Sequence, residues 1–251
     1  MISDTTIIST CRGRFSELCN SIESWMKLEP HEIVVVDAHC PDRTGERLRS
    51  AYPQVKVWFD KEDTFSLARA KNIGARAATG RSLLFLDADI IVSEALRSFV
   101  GKFEGEIEYA CIRKRESVLV PGLGGIILCS AEWFRKLDGY DEVLVGYGGE
   151  DSELLARLSL GGLRRAEIPW ESVRHQNHAD DERQQVYKSY ITETTIINHL
   201  YTELKSVAML LSGAQAIPIT QRQCLYNHVV ESFRCGGLRL KPKPDLTWML
   251  P

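Results

Sequence analysis

Two carboxylates one residue apart, Asp87 and Asp89, follow the unbroken apolar run Leu83-Leu84-Phe85-Leu86. An apolar run without alternation is the pattern of a strand covered on both faces. In an open α/β sheet the ligand crevice lies beyond the C-terminal ends of such strands. If the chain stays extended through Ala88, both acidic side chains share one side. Carboxylates so close repel unless something positive joins them. A hard divalent cation that also holds phosphate oxygens meets that need, and a strand-end helix cap or turn former explains the pair equally well.

Further acids fall at other strand or loop ends: Asp37 after Ile33-Val34-Val35-Val36, and Glu150 and Asp151 after Gly146-Tyr147-Gly148-Gly149. The glycines let backbone run close to a ligand, and the acid pair then opens a helix. A helix N-terminus is expected to lower the affinity of these carboxylates for protons, which suits them to accept one from a polarised hydroxyl. A glycine turn followed by acidic capping residues is the plainer reading. His175 beside Asp89 would favour manganese over magnesium, which prefers an all-oxygen octahedron. An exposed histidine in the polar run to Asp181 accounts for it without metal, and His178 is an alternative ligand. Arg69, Lys71, Asn72 and Arg76 could face phosphate or solvent.

These residues need a scaffold, and the first ninety supply a doubly wound one. Thr5–Thr10, Ile33–Val36, Val55–Phe59 and the Leu83 run read as strands. Helices are expected between them, through about Lys27, from Asp42–Thr44, and over the alanine-rich Leu67–Ala78, which Gly80 stops. Cys11-Arg12-Gly13-Arg14 has one glycine, which argues against a glycine-rich phosphate loop. The second half predicts helices over Glu94–Phe103 and Ala131–Leu137. Strands are expected at Tyr109–Arg113, Ser117–Val120, Ile126–Cys129 and Leu163–Ile168, with Val173–His178 as the polar exit of the last. Glu182–Leu211 and Arg222–Phe233 read as helices.

With 251 residues, 31 basic and 34 acidic side chains and a net charge of −3, the chain has no basic patch to suggest a nucleic-acid partner. No apolar run reaches membrane-spanning length, and the polar start Met1–Thr6 does not read as a signal peptide. Seven scattered cysteines lack metal-finger spacing and read as reduced, mostly buried small hydrophobes. The expectation is a cytoplasmic protein. Its expected division is residues 1–180 as one α/β domain (a nucleotide-binding half 1–92 and a second half 93–180) and 181–251 as a helical extension that could pair two copies.

Thr5–Arg14, Val34-Val35-Val36-Asp37 with Asp42 and Thr44, Leu67–Gly80 and Leu86-Asp87-Ala88-Asp89 together resemble the family-two inverting glycosyltransferases of the GT-A fold. Gly124-Gly125, Phe134, Asp138-Gly139-Tyr140, Gly146–Asp151 with Leu155 and Arg157, and Arg174-His175 resemble the β-1,4-galactosyltransferases. They also resemble the related domains of chondroitin-type polymerases and polypeptide N-acetylgalactosaminyltransferases. The likeness runs from about Thr5 to His178, and residues beyond carry no assignable motif.

The resemblance implies a UDP-sugar donor and Mn2+, with Mg2+ as the alternative. Asp37, Arg12 and Arg14 would lie at the nucleotide. Asp87, with Ala88 beside it, would reach the ribose or sugar, and Arg69 would hold Asp87 or the donor. Asp89 and His175 would ligate the metal. Asp151 would be the general base, Glu150 would bind the acceptor or orient the site, and Tyr147, Gly148 and Gly149 would line the acceptor side. Tyr147 stands where the galactosyltransferases have tryptophan, and Ser152 where they have a further acid. The implied activity is inverting transfer of a hexose or N-acetylhexosamine to an acceptor hydroxyl. One alternative is a retaining transferase, since the polypeptide N-acetylgalactosaminyltransferases share part of the Gly-Gly-Glu signature, though they typically carry Asn at the position of Asp151. The other is an inactive UDP-sugar or glycan-binding protein.

Overall fold

The structure is a computed structural model that describes residues 2–62, 65–102, 108–112, 123–146, 148–176, 181–214 and 216–235, with backbone alone for 181–192. Tyr147 and His178 lie outside these residues, as does the strand expected at Ser117–Val120.

The β-branched runs form a parallel core: β1 (Ile2–Cys11), β2 (Pro30–Asp37), β3 (Lys56–Phe59) and β4 (Ser82–Phe85). Helices α1 (Phe15–Met26), α2 (Thr44–Ala51) and α3 (Leu67–Ala77) connect them. The second half adds β5 (Ile90–Val92), α4 (Glu94–Val100), β6 (Tyr109–Ile112), β7 (Ile127–Ser130), α5 (Ala131–Lys136), α6 (Glu150–Leu160), β8 (Arg165–Ile168) and β9 (Val173–His175). Helices α7 (Asp181–Ser212) and α8 (Ile219–Arg234) close the described chain. The main sheet runs β3-β2-β1-β4-β7-β6-β8, with β7 antiparallel to both of its neighbours.

Successive residues of the buried strands serve opposite faces, as a period of two requires. Ile7, Val35 and Leu84 pack with Leu18, Ile22 and Trp25 of α1. Ile8 and Phe85 pack on the other face with Ala68 and Ala75 of α3, Phe134, Tyr140, and Leu154 and Leu158 of α6. Apolar rows on both faces are why these strands read as continuous hydrophobic runs. The order reverses between β1 and β4, so the ends of those strands flank the switch-point crevice.

Two expectations need correction. The central strand ends at Phe85, and Ala88 and Asp89 form a turn before a separate strand, β5. The Asp87 carbonyl accepts the Ile90 N–H at 3.1 Å across that turn. In addition, Val173–His175 is the strand β9, antiparallel to β5, with His175 opposite Ile90. A three-residue ladder carries too little periodic signal to be read from sequence.

Candidate functional site

The Asp87–Asp89 turn is held from three sides. Trp25 Nε1 donates to the Ile90 carbonyl at 2.9 Å, and the Gln176 N–H donates to the Asp89 carbonyl at 2.8 Å. The Gln176 side chain donates in turn to the Glu17 carbonyl at 2.8 Å and Ser21 Oγ at 2.9 Å, which fastens β9 to α1. The β5–β9 register then brings His175 Nε2 to 3.4 Å from Asp89 Oδ2. Asp89 is buried, and the same carboxylate oxygen takes the guanidinium of Arg14. Arg14 is in the left-handed conformation at the start of α1, which turns it back toward the turn. A carboxylate and an imidazole on one point, with a side-chain cation already drawn to it, is a donor set that suits a divalent cation.

At the nucleotide end, Asp37 terminates β2 and accepts backbone N–H groups from Cys40 and Gly45, each at 2.7 Å. Arg12 stacks its guanidinium 4.8 Å from the centre of the Phe65 ring. Arg69, which the resemblance puts at Asp87 or the donor, forks onto Asp60 with contacts of 2.8 to 3.1 Å. The cause is local. Asp60 follows β3 beside Asp37, its N–H bonding the Asp37 carbonyl at 2.9 Å, and the first turn of α3 brings Arg69 to it. Asp60 carries no sequence motif.

Glu150 and Asp151 open α6 as expected, but a buried lysine organises them. Lys71 Nζ lies 2.6 Å from Asp151 Oδ1 and 3.1 Å from Glu150 Oε1, and the Tyr140 hydroxyl donates to Asp151 Oδ1 at 3.1 Å. Asn72 fixes this partner loop by bonding both the N–H (2.8 Å) and the carbonyl (2.9 Å) of Tyr140. Lys71 and Asn72 were ambiguous in sequence because a helix face cannot be assigned until its neighbours are known.

Asp87 and Asp151 converge on Gly125. A β-carbon there would stand 2.8 Å from Asp87 Oδ2 and 3.2 Å from Asp151 Oδ2, so only hydrogen fits between them. That close approach corrects the proton-affinity expectation. Burial pushes the Asp151 carboxyl up to about 7, with Glu150 and Asp87 adding to the rise and Lys71 opposing it. Burial likewise raises Asp87. For Glu150, burial is outweighed by Lys71 and by its own backbone N–H at the helix start, and it is held below the usual range. The helix terminus thus favours the ionised form of the first acid and loses to burial and like charge at the second.

The loop before these acids is seated on α7. Gly146, Gly148 and Gly149 all have positive φ, and their open faces are filled by Thr194, Thr195 and Asn198. Asn198 Nδ2 donates to the carbonyls of Val145 (3.2 Å) and Gly148 (2.7 Å), and its Oδ1 accepts from the Tyr226 hydroxyl at 2.9 Å. Behind it, Lys205 Nζ bridges Asp141 and Glu153, 2.6 Å from each, while Tyr201 and Arg222 also bond Asp141. No sequence motif signalled this role.

A family model of glycosyl transferase family 2 matches residues 6–120, and one described as the N-terminal domain of galactosyltransferase matches residues 119–182. The chain is a relative of the GT-A-fold glycosyltransferases. It is 25% identical to polypeptide N-acetylgalactosaminyltransferase 10 of Rattus norvegicus and of Homo sapiens, over 272 aligned residues, 86% of this chain and 43% of each relative. It therefore spans less than half the length of these curated relatives.

Among solved structures, this glycosyltransferase relative is similar to GalNAc-T7 with UDP, GalNAc and Mn2+ (TM-score 0.60, 16% identity, 92% of this chain and 56% of that one). It is also similar to mannosyltransferase PcManGT from Pyrobaculum calidifontis in complex with GDP-Man and Mn2+ (TM-score 0.59, 14% identity, 93% and 76%). A third is S. aureus TarS 1-349 in complex with UDP (TM-score 0.57, 12% identity, 96% and 94%). These likenesses establish the fold. No helix among the described residues is long and apolar enough to cross a membrane.

Proposed function

We propose that the chain transfers a hexose or N-acetylhexosamine from a UDP-sugar to an acceptor hydroxyl. The observation that carries this reading is the convergence of Asp87, the Asp89–His175 pair and Asp151 at the switch-point end of the sheet. The nucleotide would lie along the ends of β1 and β2, beside Arg12, Arg14 and Asp37. Asp89 and His175 fit a divalent cation, Mn2+ before Mg2+, and would hold it; bound there, it would neutralise charge developing on a diphosphate leaving group. Arg14, which bonds Asp89 in this structure, is placed to turn its guanidinium to phosphate oxygens, a geometry Arg matches with two parallel N–H bonds. Asp87 feels the charges of Asp89 and His175 and meets Asp151 across Gly125, which suits it to receive a sugar hydroxyl.

Two stereochemical readings follow, each with its own support. The match to polypeptide N-acetylgalactosaminyltransferases favours retention. Asp151 favours inversion, because a carboxyl raised to about 7 is well matched to accept a proton from an acceptor hydroxyl at neutral pH. Under inversion Lys71 keeps Asp151 ionised until the acceptor arrives and Tyr140 fixes its direction. Under retention Asp151 is an acceptor-binding group. Proton NMR of the first-formed product separates them: the anomeric configuration is opposite to the donor's for inversion and the same for retention. UDP binding without transfer or donor hydrolysis, across a broad acceptor panel, would instead identify an inactive binding protein.

A further inference from the structure

Cys11, Asp37 and Cys40 meet through the β1–β2 ladder, which is why their sequence spacing gave no sign of it. Cys11 and Asp37 are register partners at the last rung of the two strands. Cys40 turns back toward them because its own N–H donates to Asp37 Oδ1 at 2.7 Å. The two sulfurs are 3.5 Å apart, and one donor atom from each of the three residues lies within 4.8 Å of the others. Backbone N–H groups orient the set: Gly13 donates to Cys40 Sγ at 3.1 Å and Gly45 to Asp37 Oδ2 at 2.7 Å.

We infer that Cys11, Cys40 and Asp37 form a site for a thiophilic divalent cation of the Zn2+ class, distinct from the Asp89–His175 pair and sharing Asp37 with the nucleotide end of the proposed donor site, so that ion and nucleotide compete there. The sulfur separation is close to the ~3.8 Å edge of a tetrahedron with Zn–S bonds of about 2.3 Å, so a modest adjustment suffices. Two thiolates and a carboxylate fill three of the four tetrahedral positions. Soft sulfur ligands select Zn2+ against Mn2+, whereas Asp89 and His175 offer no sulfur. The N–H donors to Cys40 and Asp37 are the kind of outer contacts that orient ligands and stabilise their charged forms. Binding replaces the two thiol protons, which pass to solvent. The bound ion would tie the end of β1 to the turn after β2.

The test is a Co2+ titration of the full chain kept reduced with a phosphine. The expected result is a near-ultraviolet thiolate-to-cobalt charge-transfer band that saturates at one ion per chain and is bleached by Zn2+. Cys11→Ser and Cys40→Ser should each remove the band, while Cys224→Ser with Cys235→Ser, at the two exposed cysteines, should keep it. Circular dichroism checks that each variant is folded. Proton release on Zn2+ addition to the unmodified chain gives a second readout, expected at two protons per ion. Absence of the band, its survival in both Cys11 and Cys40 variants, or its loss in the Cys224/Cys235 variant would each overturn the site. None of these readouts involves sugar transfer, so failure here leaves the proposed function standing.

Discussion

At the residue scale, Asp151 and Lys71 make the sharpest claims. If Asp151 is the base, its ionised form is the active one, so kcat/KM should fall as pH drops through about 7. Asp151→Asn should remove that acid limb and lower kcat by about 10²- to 10⁴-fold, with UDP affinity nearly unchanged. Lys71 opposes the rise of Asp151, so Lys71→Met should move the limb to higher pH, measurable in the same profiles. A limb that stays in place would show that Lys71 does not control the carboxylate. Asp37, Asp87 and Asp89 could be picked out in sequence because acids at the ends of apolar runs are conspicuous, and Glu150 and Asp151 because they follow a glycine-rich loop, with His175 as a candidate imidazole. Their partners Lys71, Tyr140 and Asp60 were not legible as such, because each pairing joins segments whose approach is set by packing. The direction of the Asp151 shift is hidden in sequence for the same reason, since the helix start is visible there and the crowding at Gly125 is not.

The claim that belongs to the element scale is that α7 shapes the loop leading into α6. Gly149 has φ 90°, and a β-carbon there would come within 2.8 Å of Asn198 Cβ. Gly149→Ala is therefore strained twice and should cost stability and turnover together. Asn198→Ala deletes the donors to two loop carbonyls and should cost about 1–3 kcal/mol, read from urea unfolding, while lowering kcat more than donor affinity. An unchanged kcat in a stably folded Asn198→Ala variant would remove the positioning role. The long helix itself was plain from composition, and the structure shows it unbroken over Asp181–Ser212. Its purpose was hidden, because the Thr194, Thr195 and Asn198 that meet the glycines form no recognisable motif.

At the scale of the whole molecule, a buried ionic cluster joins the C-terminal helices to the α/β body. Asp141, Glu153 and Lys205 are each no more than 2% exposed. Lys205→Met would leave two carboxylates without their shared cation and should cost about 3–5 kcal/mol. The sign with pH is fixed. For Asp141 burial raises the pKa but Lys205 outweighs it, and for Glu153 burial is outweighed by Arg157 and Lys205, so both are held below the usual carboxylate range. Their contribution is therefore full above the unfolded values and lost as pH falls through the depressed folded ones. Without Lys205 the carboxylates should protonate more readily, so the stability deficit of the variant should shrink toward acid pH. Thermal melts of both proteins across that range check it. The doubly wound half was legible because its strands are buried on both faces and announce themselves as apolar runs. The reversed strand β7 and the β5–β9 ladder depend on long-range pairing, which no local pattern encodes.

The central claim, a nucleotide-sugar site completed by a cation at Asp89 and His175, is tested most directly by calorimetric titration of UDP with and without Mn2+. The account predicts UDP binding that Mn2+ strengthens in the unmodified chain, with the Mn2+ effect abolished in Asp89→Ala. No UDP binding in the presence of Mn2+, or an equal Mn2+ effect in Asp89→Ala, would contradict it.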